Sequence, residues 1–222
     1  MQNKNKSNLL LIGGAGYIGS ALILNYQKEK FINFINCYDR LVYENQEFSK
    51  KLKKIKKVKF FFGDYRNLSK LNKILKGISD VIVLGGLVGD PITKKYDKLS
   101  KKFNLDGIKK ILKFLSKKKL NKLIFISTCS NYGIVKAGKA NEKSKLKPKS
   151  SYAKHKVAVE KFFLNLKTDC TTTVLRFSTA FGLSPRMRYD LTLNEFCKST
   201  IEKKELLVYD PYTWRPYCHV KD

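Results

Sequence analysis

The chain predicts an α/β fold, a doubly wound parallel sheet followed by the beginning of a smaller C-terminal region. Three observations predict it. From residue 8 onward, short apolar runs alternate with longer segments of helical period, the pattern of a parallel sheet covered on both faces. A glycine-spaced turn, Gly14-x-Gly16-x-x-Gly19, joins the first run to the first helical segment. A carboxylate, Asp39, closes the second run about 20 residues after that turn.

Each strand is read from a run of aliphatic and aromatic residues. The runs are NLLLIGG (8–14), FINCYD (34–39), VKFFFGD (58–64), DVIVLGG (80–86), KLIFIST (122–128) and TTVLRFS (172–178). Between them, Tyr17–Lys30, Asn67–Lys76, Lys98–Lys117 and Ser151–Leu166 are amphipathic and long enough to cross over the sheet. Right-handed crossovers then wind the sheet on both sides. The lysine-rich stretch GKANEKSKLKPKS (138–150), with one proline, reads as a surface loop. After Thr179 the alternation fades, which divides the chain into 1–178 and 179–222.

Composition excludes several classes. A mean hydropathy of -0.34 with 43% hydrophobic residues is that of a soluble globular protein with a real core. No apolar run approaches the roughly 18 residues that span a bilayer, and the first apolar stretch ends in glycines instead of a leader cleavage site. No membrane association is expected, and a cytoplasmic protein is. The five cysteines stand singly and only His155 and His219 are available beside them, so neither disulfides nor a metal site is expected. The formal charge of +28 invites a nucleic-acid reading. Its distribution argues against one: the excess is lysine, spread along helix-like segments such as KKLKKIKK, and there are six arginines in all. A solvated lysine surface with no specific nucleic-acid partner is the reading adopted.

The glycine turn lies where a dinucleotide-binding fingerprint must, after a strand and opening a helix. Gly14 suits the tight turn, Gly16 leaves room for a pyrophosphate, and Gly19 lets helix and strand pack closely. Gly13, Gly16, Tyr17, Ile18 and Gly19 are therefore candidate cofactor contacts, at a helix N-terminus that offers unpaired N–H groups. Asp39 stands where a carboxylate accepts from both hydroxyls of an adenosine ribose, which favours NAD over NADP. Arg40 beside it leaves a 2′-phosphate open. Asp64 ends the third run, either facing an adenine amino group or capping the helix that follows.

SSYAKHKVAVEKF holds Tyr152-x-x-x-Lys156 near the start of a helix, a spacing that puts both side chains on one face. The pairing has chemical sense. A phenol with an unperturbed pKa of about 10 is a poor base at neutral pH, and a neighbouring ammonium favours its ionised form. Tyr-x-x-x-Lys alone is a weak signal, since an exposed pair on a lysine-rich helix has the same spelling. Behind a complete dinucleotide fingerprint it becomes the leading catalytic reading.

Taken in order, GGAGYIG (13–19), Asp39, GD (63–64), LGGLVGDP (84–91), Asn104, STCSNYG (127–133), SYAKHK (151–156), LRFSTAFGLSPRMRYD (175–190) and RPYCHVKD (215–222) make a specific set. With them the chain resembles an extended short-chain dehydrogenase/reductase of the NAD-dependent nucleotide-sugar epimerase and dehydratase subgroup. The resemblance implies a Rossmann fold, with an NAD-binding domain over 1–178 that carries the Tyr/Lys pair and a partial substrate-binding region over 179–222. It implies that Tyr152 is the acid/base, that Lys156 holds the nicotinamide ribose and tunes the phenol, and that Thr128 hydrogen-bonds the reacting sugar hydroxyl. Arg215 matches an arginine that binds the nucleotide diphosphate, and Asn104 a residue that shapes the backbone of the active site.

Two departures matter. The family's 4,6-dehydratases place Asp and Glu after the hydroxyl residue, and Cys129 and Ser130 stand there instead, neither of them a carboxyl acid or base. Thr179 replaces an asparagine that contacts the substrate phosphate, and Arg186 and Arg188 either take over anion binding or are surface charge. Relatives continue past HVKD, so the resemblance implies a truncated chain, and it implies a homodimer through Lys98–Lys117 and Ser151–Leu166. His219 is expected to be structural. The expectation as a whole is an NAD-dependent nucleotide-sugar epimerase working through a transient keto-sugar. A net sugar dehydrogenase or reductase is the alternative, and a non-catalytic dinucleotide-binding protein is disfavoured.

Overall fold

The computed structural model describes residues 6–88, 90–135, 138–208 and 211–222. Gly89, in the LGGLVGDP segment, falls outside them. The principal strands are β1 (Ser7–Ile12), β2 (Ile32–Asp39), β3 (Val58–Phe62), β4 (Asp80–Val83), β5 (Lys122–Thr128) and β6 (Thr171–Phe177). Among the described residues they make one six-stranded sheet, parallel throughout, in the order β3-β2-β1-β4-β5-β6. All six expected strands are present, the first, third and fourth ending early because their terminal glycines leave the ladder.

The sheet is buried on both faces, and β1 shows why its sequence has no polar alternation. Leu10 and Ile12 point into one core with Val81, Val83, Leu123 and Phe125, while Leu9 and Leu11 point into the other with Ile35 and Cys37. The second core is closed by α1 (Tyr17–Tyr26) and α2 (Gln46–Leu52), through Ile23, Phe48 and Leu52. The first is closed by α3 (Leu68–Ile74) and, beyond α4 (Asp90–Lys95) and α5 (Asp97–Ser100), by α6 (Ile108–Leu115) and α7 (Ser151–Leu164). On α6, Ile108, Ile111, Leu112 and Leu115 follow the helical period and are all buried.

The structure corrects the helix reading at three places. Lys98–Lys117 is not one regular helix: α5 and α6 are joined by π-helical turns over Lys101–Gly107, within which Asn104 is buried. The short helix α2 was not anticipated, although Phe48 and Leu52 at a spacing of four are its signal. Past Thr179, β7 (Thr179–Phe181) pairs in parallel with β8 (Tyr217–His219), and α8 (Thr192–Lys203) lies between them. Strands of three residues are too short to show a period, which is why the alternation fades there. His219 lies outside the cleft lining: its ring stands edge-on to Phe181 at 5.2 Å and its Nδ1 accepts from Lys221 N. Among the described residues no helix is long and apolar enough to cross a membrane, and no three metal-ligating side chains cluster.

One close approach fixes α1 on the sheet. A Cβ built on Gly19 would lie 2.6 Å from both Cα and O of Gly14, backbone atoms that cannot step aside. Gly19→Ala is therefore expected to destabilise the fold by about 1–3 kcal/mol, read as a lowered thermal midpoint. An unchanged midpoint would contradict this packing.

Candidate active site

The sheet splits its crossovers between β1 and β4, and at that switch the carboxyl ends of the strands leave a crevice. Gly13 N donates to Tyr38 O at 2.8 Å and Gly85 N to Ile12 O at 2.8 Å, so the ends of β1, β2 and β4 form one connected floor. Gly16 caps α1 with extended backbone and no side-chain hydrogen bond, leaving first-turn N–H groups for an anion. Asp39 ends β2 beside this turn, its Oδ2 accepting from Ala15 N at 3.0 Å and its Oδ1 from Leu41 N at 2.7 Å. Burial pushes its carboxyl up from the ordinary value, and these backbone bonds oppose the rise. Each oxygen keeps a lone pair with which to receive a hydroxyl.

Asp64 is engaged. Arg66 holds it through Nε and Nη2, the shortest contact being 2.6 Å, and Arg40 Nη1 reaches it at 3.2 Å. The hydrogen bonds from Arg66 keep its carboxyl below the usual range. The helix that follows is capped not by Asp64 but by Asn67, whose Oδ1 accepts from Lys70 N. Arg40 is thus drawn to a carboxylate, with which a 2′-phosphate would have to compete.

The chemistry-bearing side chains come from β5 and α7. Ser150 caps α7 by accepting from Ala153 N, so Tyr152 and Lys156 lie in its first two turns. Lys156 is 5% exposed; its Nζ donates to Ile126 O at 2.7 Å and stands 4.6 Å from the Phe125 ring centre and 5.7 Å from that of Tyr152. Burial pulls its ammonium down to about 8, against the opposing pull of Glu160. Thr128 is the last residue of β5, and its Oγ1 accepts from Ser130 N as the chain turns through Cys129–Tyr132. Burial pushes the Cys129 thiol up, opposed in part by the charge of Arg215.

One cleft is lined by Gly13, Gly16, Tyr17, Ile18, Gly19, Asp39, Asp64, Thr128, Tyr152, Lys156, Thr179 and Arg188. Arg215 is the exception among the anticipated residues: it is exposed and does not line the cleft, although Pro216 next to it accepts from Thr179 N. The structure adds the partners of residues the sequence singled out, and neighbours such as Tyr43, Asn194 and Ser184 that it did not. Arg186 lines the cleft and packs 4.4 Å from the ring centre of Tyr43, while Arg188 is tied to Asp190 at 2.5 Å. Tyr43 Oη accepts from Val88 N, and Asn104 brackets Leu87 with bonds of 2.7 Å to its N–H and its carbonyl. Asn194 Nδ2 donates to Tyr17 Oη, which donates to Gly182 O, and Ser184 Oγ bonds both Tyr17 O and Ser20 Oγ. Residues 182–194 are thereby fastened to the helix that begins at the glycine turn. Contacts of this kind, more than 150 residues apart in sequence, have no local spelling.

A glycine-lined helix start, a carboxylate at the end of β2 and a Tyr/Lys pair line one cleft at the switch point of a doubly wound sheet, the architecture of a dinucleotide-binding fold. The chain belongs to the NAD dependent epimerase/dehydratase family, which matches residues 9–222. It is 28% identical over 225 residues to YtcB of Bacillus subtilis (strain 168), an uncharacterised UDP-glucose epimerase, covering 96% of this chain and 69% of that protein. It is 29% identical over 188 residues to a UDP-glucose 4-epimerase of Yersinia enterocolitica, covering 80% of this chain and 55% of that one. Its fold superposes with a TM-score of 0.83 on the UDP-glucuronic acid 4-epimerase of Bacillus cereus crystallised with UDP-glucuronic acid and NAD, at 25% identity over 96% of this chain and 69% of that one. The chain thus spans from about half to about two thirds of the length of these relatives.

The cleft fits the family's cofactor. A Cβ built on Gly16 meets nothing closer than Gly13 O at 3.4 Å, yet it would occupy the cleft at the helix start. Gly16→Ala is therefore expected to leave the thermal midpoint nearly unchanged while weakening NAD binding by about tenfold or more, about 1.4 kcal/mol, in a calorimetric titration. Equal affinity in the variant would show that the dinucleotide does not cross this turn.

Proposed function

We propose that the chain is an NAD-dependent nucleotide-sugar epimerase in which Tyr152 is the acid/base. The observation that carries this reading is that Thr128, Tyr152 and Lys156 line the same cleft as the glycine turn and Asp39. Bound NAD would supply the acceptance and return of a hydride. The first turn of α1 would hold its pyrophosphate and Asp39 its adenosine ribose.

The protein's own part is positioning and proton transfer. Tyr152, in the first turn of α7, takes the proton of a sugar hydroxyl, at C4 in the simplest case, and gives it back after the ring has turned. Thr128, at the strand end, offers a hydroxyl to the same sugar oxygen. Lys156, fixed by Ile126 O, places an ammonium beside the tyrosine ring and favours the phenolate there. With a value of about 8 it carries its proton at neutral pH. Arg186 and Arg188 face the cleft with positive charge that suits a nucleotide diphosphate. Epimerisation is favoured over dehydration because Cys129 and Ser130 line the cleft where an eliminating acid and base would stand, and a thiol held up by burial does not replace a carboxyl group. The names of the relatives, UDP-sugar 4-epimerases, support a UDP-sugar as substrate.

Tyr152→Phe is expected to keep NAD affinity and to lower turnover by at least about 100-fold, followed by NMR of UDP-sugars incubated without added cofactor. Turnover equal to that of the wild type would remove Tyr152 from the role of base. Stoichiometric appearance of reduced nicotinamide absorbance, in place of inversion, would assign a dehydrogenase.

A further inference from the structure

Beneath the reacting side chains lies a buried polar group that the chemistry above does not use. Glu160, 1% exposed, sits one helical turn beyond Lys156 on α7. Its Oε1 accepts from Ser127 Oγ and, at 2.6 Å, from Asn131 Nδ2. Its Oε2 takes a forked pair from Arg176, Nε at 3.0 Å and Nη2 at 2.8 Å. Arg176, on β6, extends the connection through Nη1 to Tyr132 Oη at 3.1 Å and to Glu142 O. One carboxylate therefore joins four elements: the helix of Tyr152 and Lys156, the last turn of β5, the turn Cys129–Tyr132, and β6.

A buried ion pair is costly, and removing either partner strands a charge. An apolar side chain would close the same space, so this arrangement calls for a reason other than packing. Its position supplies one. Ser127 immediately precedes Thr128 and Asn131 follows it by three residues, so Glu160 grips the strand end on both sides of the hydroxyl that faces the cleft. On its own helix it is the carboxylate whose charge acts on Lys156.

We infer that Glu160 is a positioning residue: with Arg176 it locks the Thr128 strand end to the helix of Tyr152 and Lys156, and sets its negative charge one helical turn from Lys156. This rests on the epimerase reading for its purpose, not for its physics. The groups facing Lys156 are Tyr152 and Glu160 on α7, and the Ile126 carbonyl and Phe125 ring on β5. Arg176 faces Glu160 from the other side and is itself backed by Tyr132, and Arg188 faces Tyr152 across the cleft. His155, also on α7, lies in the field of Asp97, Asp106 and Lys101.

The test follows the protonation of Lys156 directly, by NMR of the chain labelled with 13C at lysine Cε, the resonance being assigned by its loss in Lys156→Arg. In the wild type it titrates near 8, apart from exposed lysines at about 10.4. In Glu160→Gln the midpoint falls by about one pH unit or more. Should that variant not fold, Glu160→Gln combined with Arg176→Met removes both charges, and its midpoint lies between the other two. A midpoint unmoved in the folded variants, or an ordinary lysine titration in the wild type, overturns the inference. Wild-type protein that inverts no nucleotide sugar while its Lys156 midpoint still follows Glu160 rejects the epimerase reading alone.

Discussion

The approach of α1 to β1, backbone against backbone at Gly14 and Gly19, is the constraint from which the rest of the structure follows. It sets the helix start directly over the carboxyl end of the central strand. At the same strand end Gly13 lies against Gly85, where a Cβ would come within 2.5 Å of its Cα, and Ile12 O receives the N–H groups of Leu84 and Gly85, so that β4 leaves the sheet beside β1 at the floor of the crevice. Every side chain of the site is then delivered to one edge: Asp39 by β2, Thr128 by β5, Tyr152 and Lys156 by the helix after β5. The cleft is a by-product of sheet topology, and its chemistry depends on which residues happen to terminate the strands.

Much of this was legible because the relevant signals are local. The central strands β1, β4 and β5 are apolar runs since both faces are covered there, and the glycine spacing records a contact made within a few residues. Tyr152 and Lys156 could be put on one helix face from their spacing, and read as a pair once the glycine fingerprint stood before them. What escaped was non-local or short. Arg176 reads as a charge interrupting a strand, and Glu160 as one more acidic residue on a lysine-rich helix, until folding places them 2.8 Å apart. β7 and β8 hold three residues each and are separated by more than 30, too little pattern over too much chain. Asp64 was readable as a residue at the sheet edge but not as the partner of Arg66, because a carboxylate two residues before an arginine carries no directional information.

The two carboxylates of the cleft region show how environment separates like groups. Asp39 is desolvated and held by backbone N–H groups, with no ion pair among the described residues, so its charge is directed at whatever enters the cleft. Asp64 is neutralised by arginine and contributes shape and rigidity instead. Glu160 follows the second pattern in a fully enclosed setting. Charge in this protein is abundant on the surface, yet inside it is used sparingly and is held by an opposite charge, as at Glu160, or by hydrogen bonds, as at Lys156 and Asp80, as the cost of burial requires.

The hydrogen bonds that tie residues 182–194 to Tyr17 and Ser20 carry a kinetic consequence. The segment bearing Arg186 and Arg188 is anchored to the very helix whose first turn lines the cleft. A dinucleotide leaving past that wall must first part Tyr17 from Asn194 and Gly182, and Ser20 from Ser184. Residence time would then be governed by a local opening of the protein as well as by the contacts to the nucleotide. In the epimerase proposed above, which would regenerate its own oxidant in each cycle, slow exchange would carry no penalty, because nothing would need to be replenished from solution.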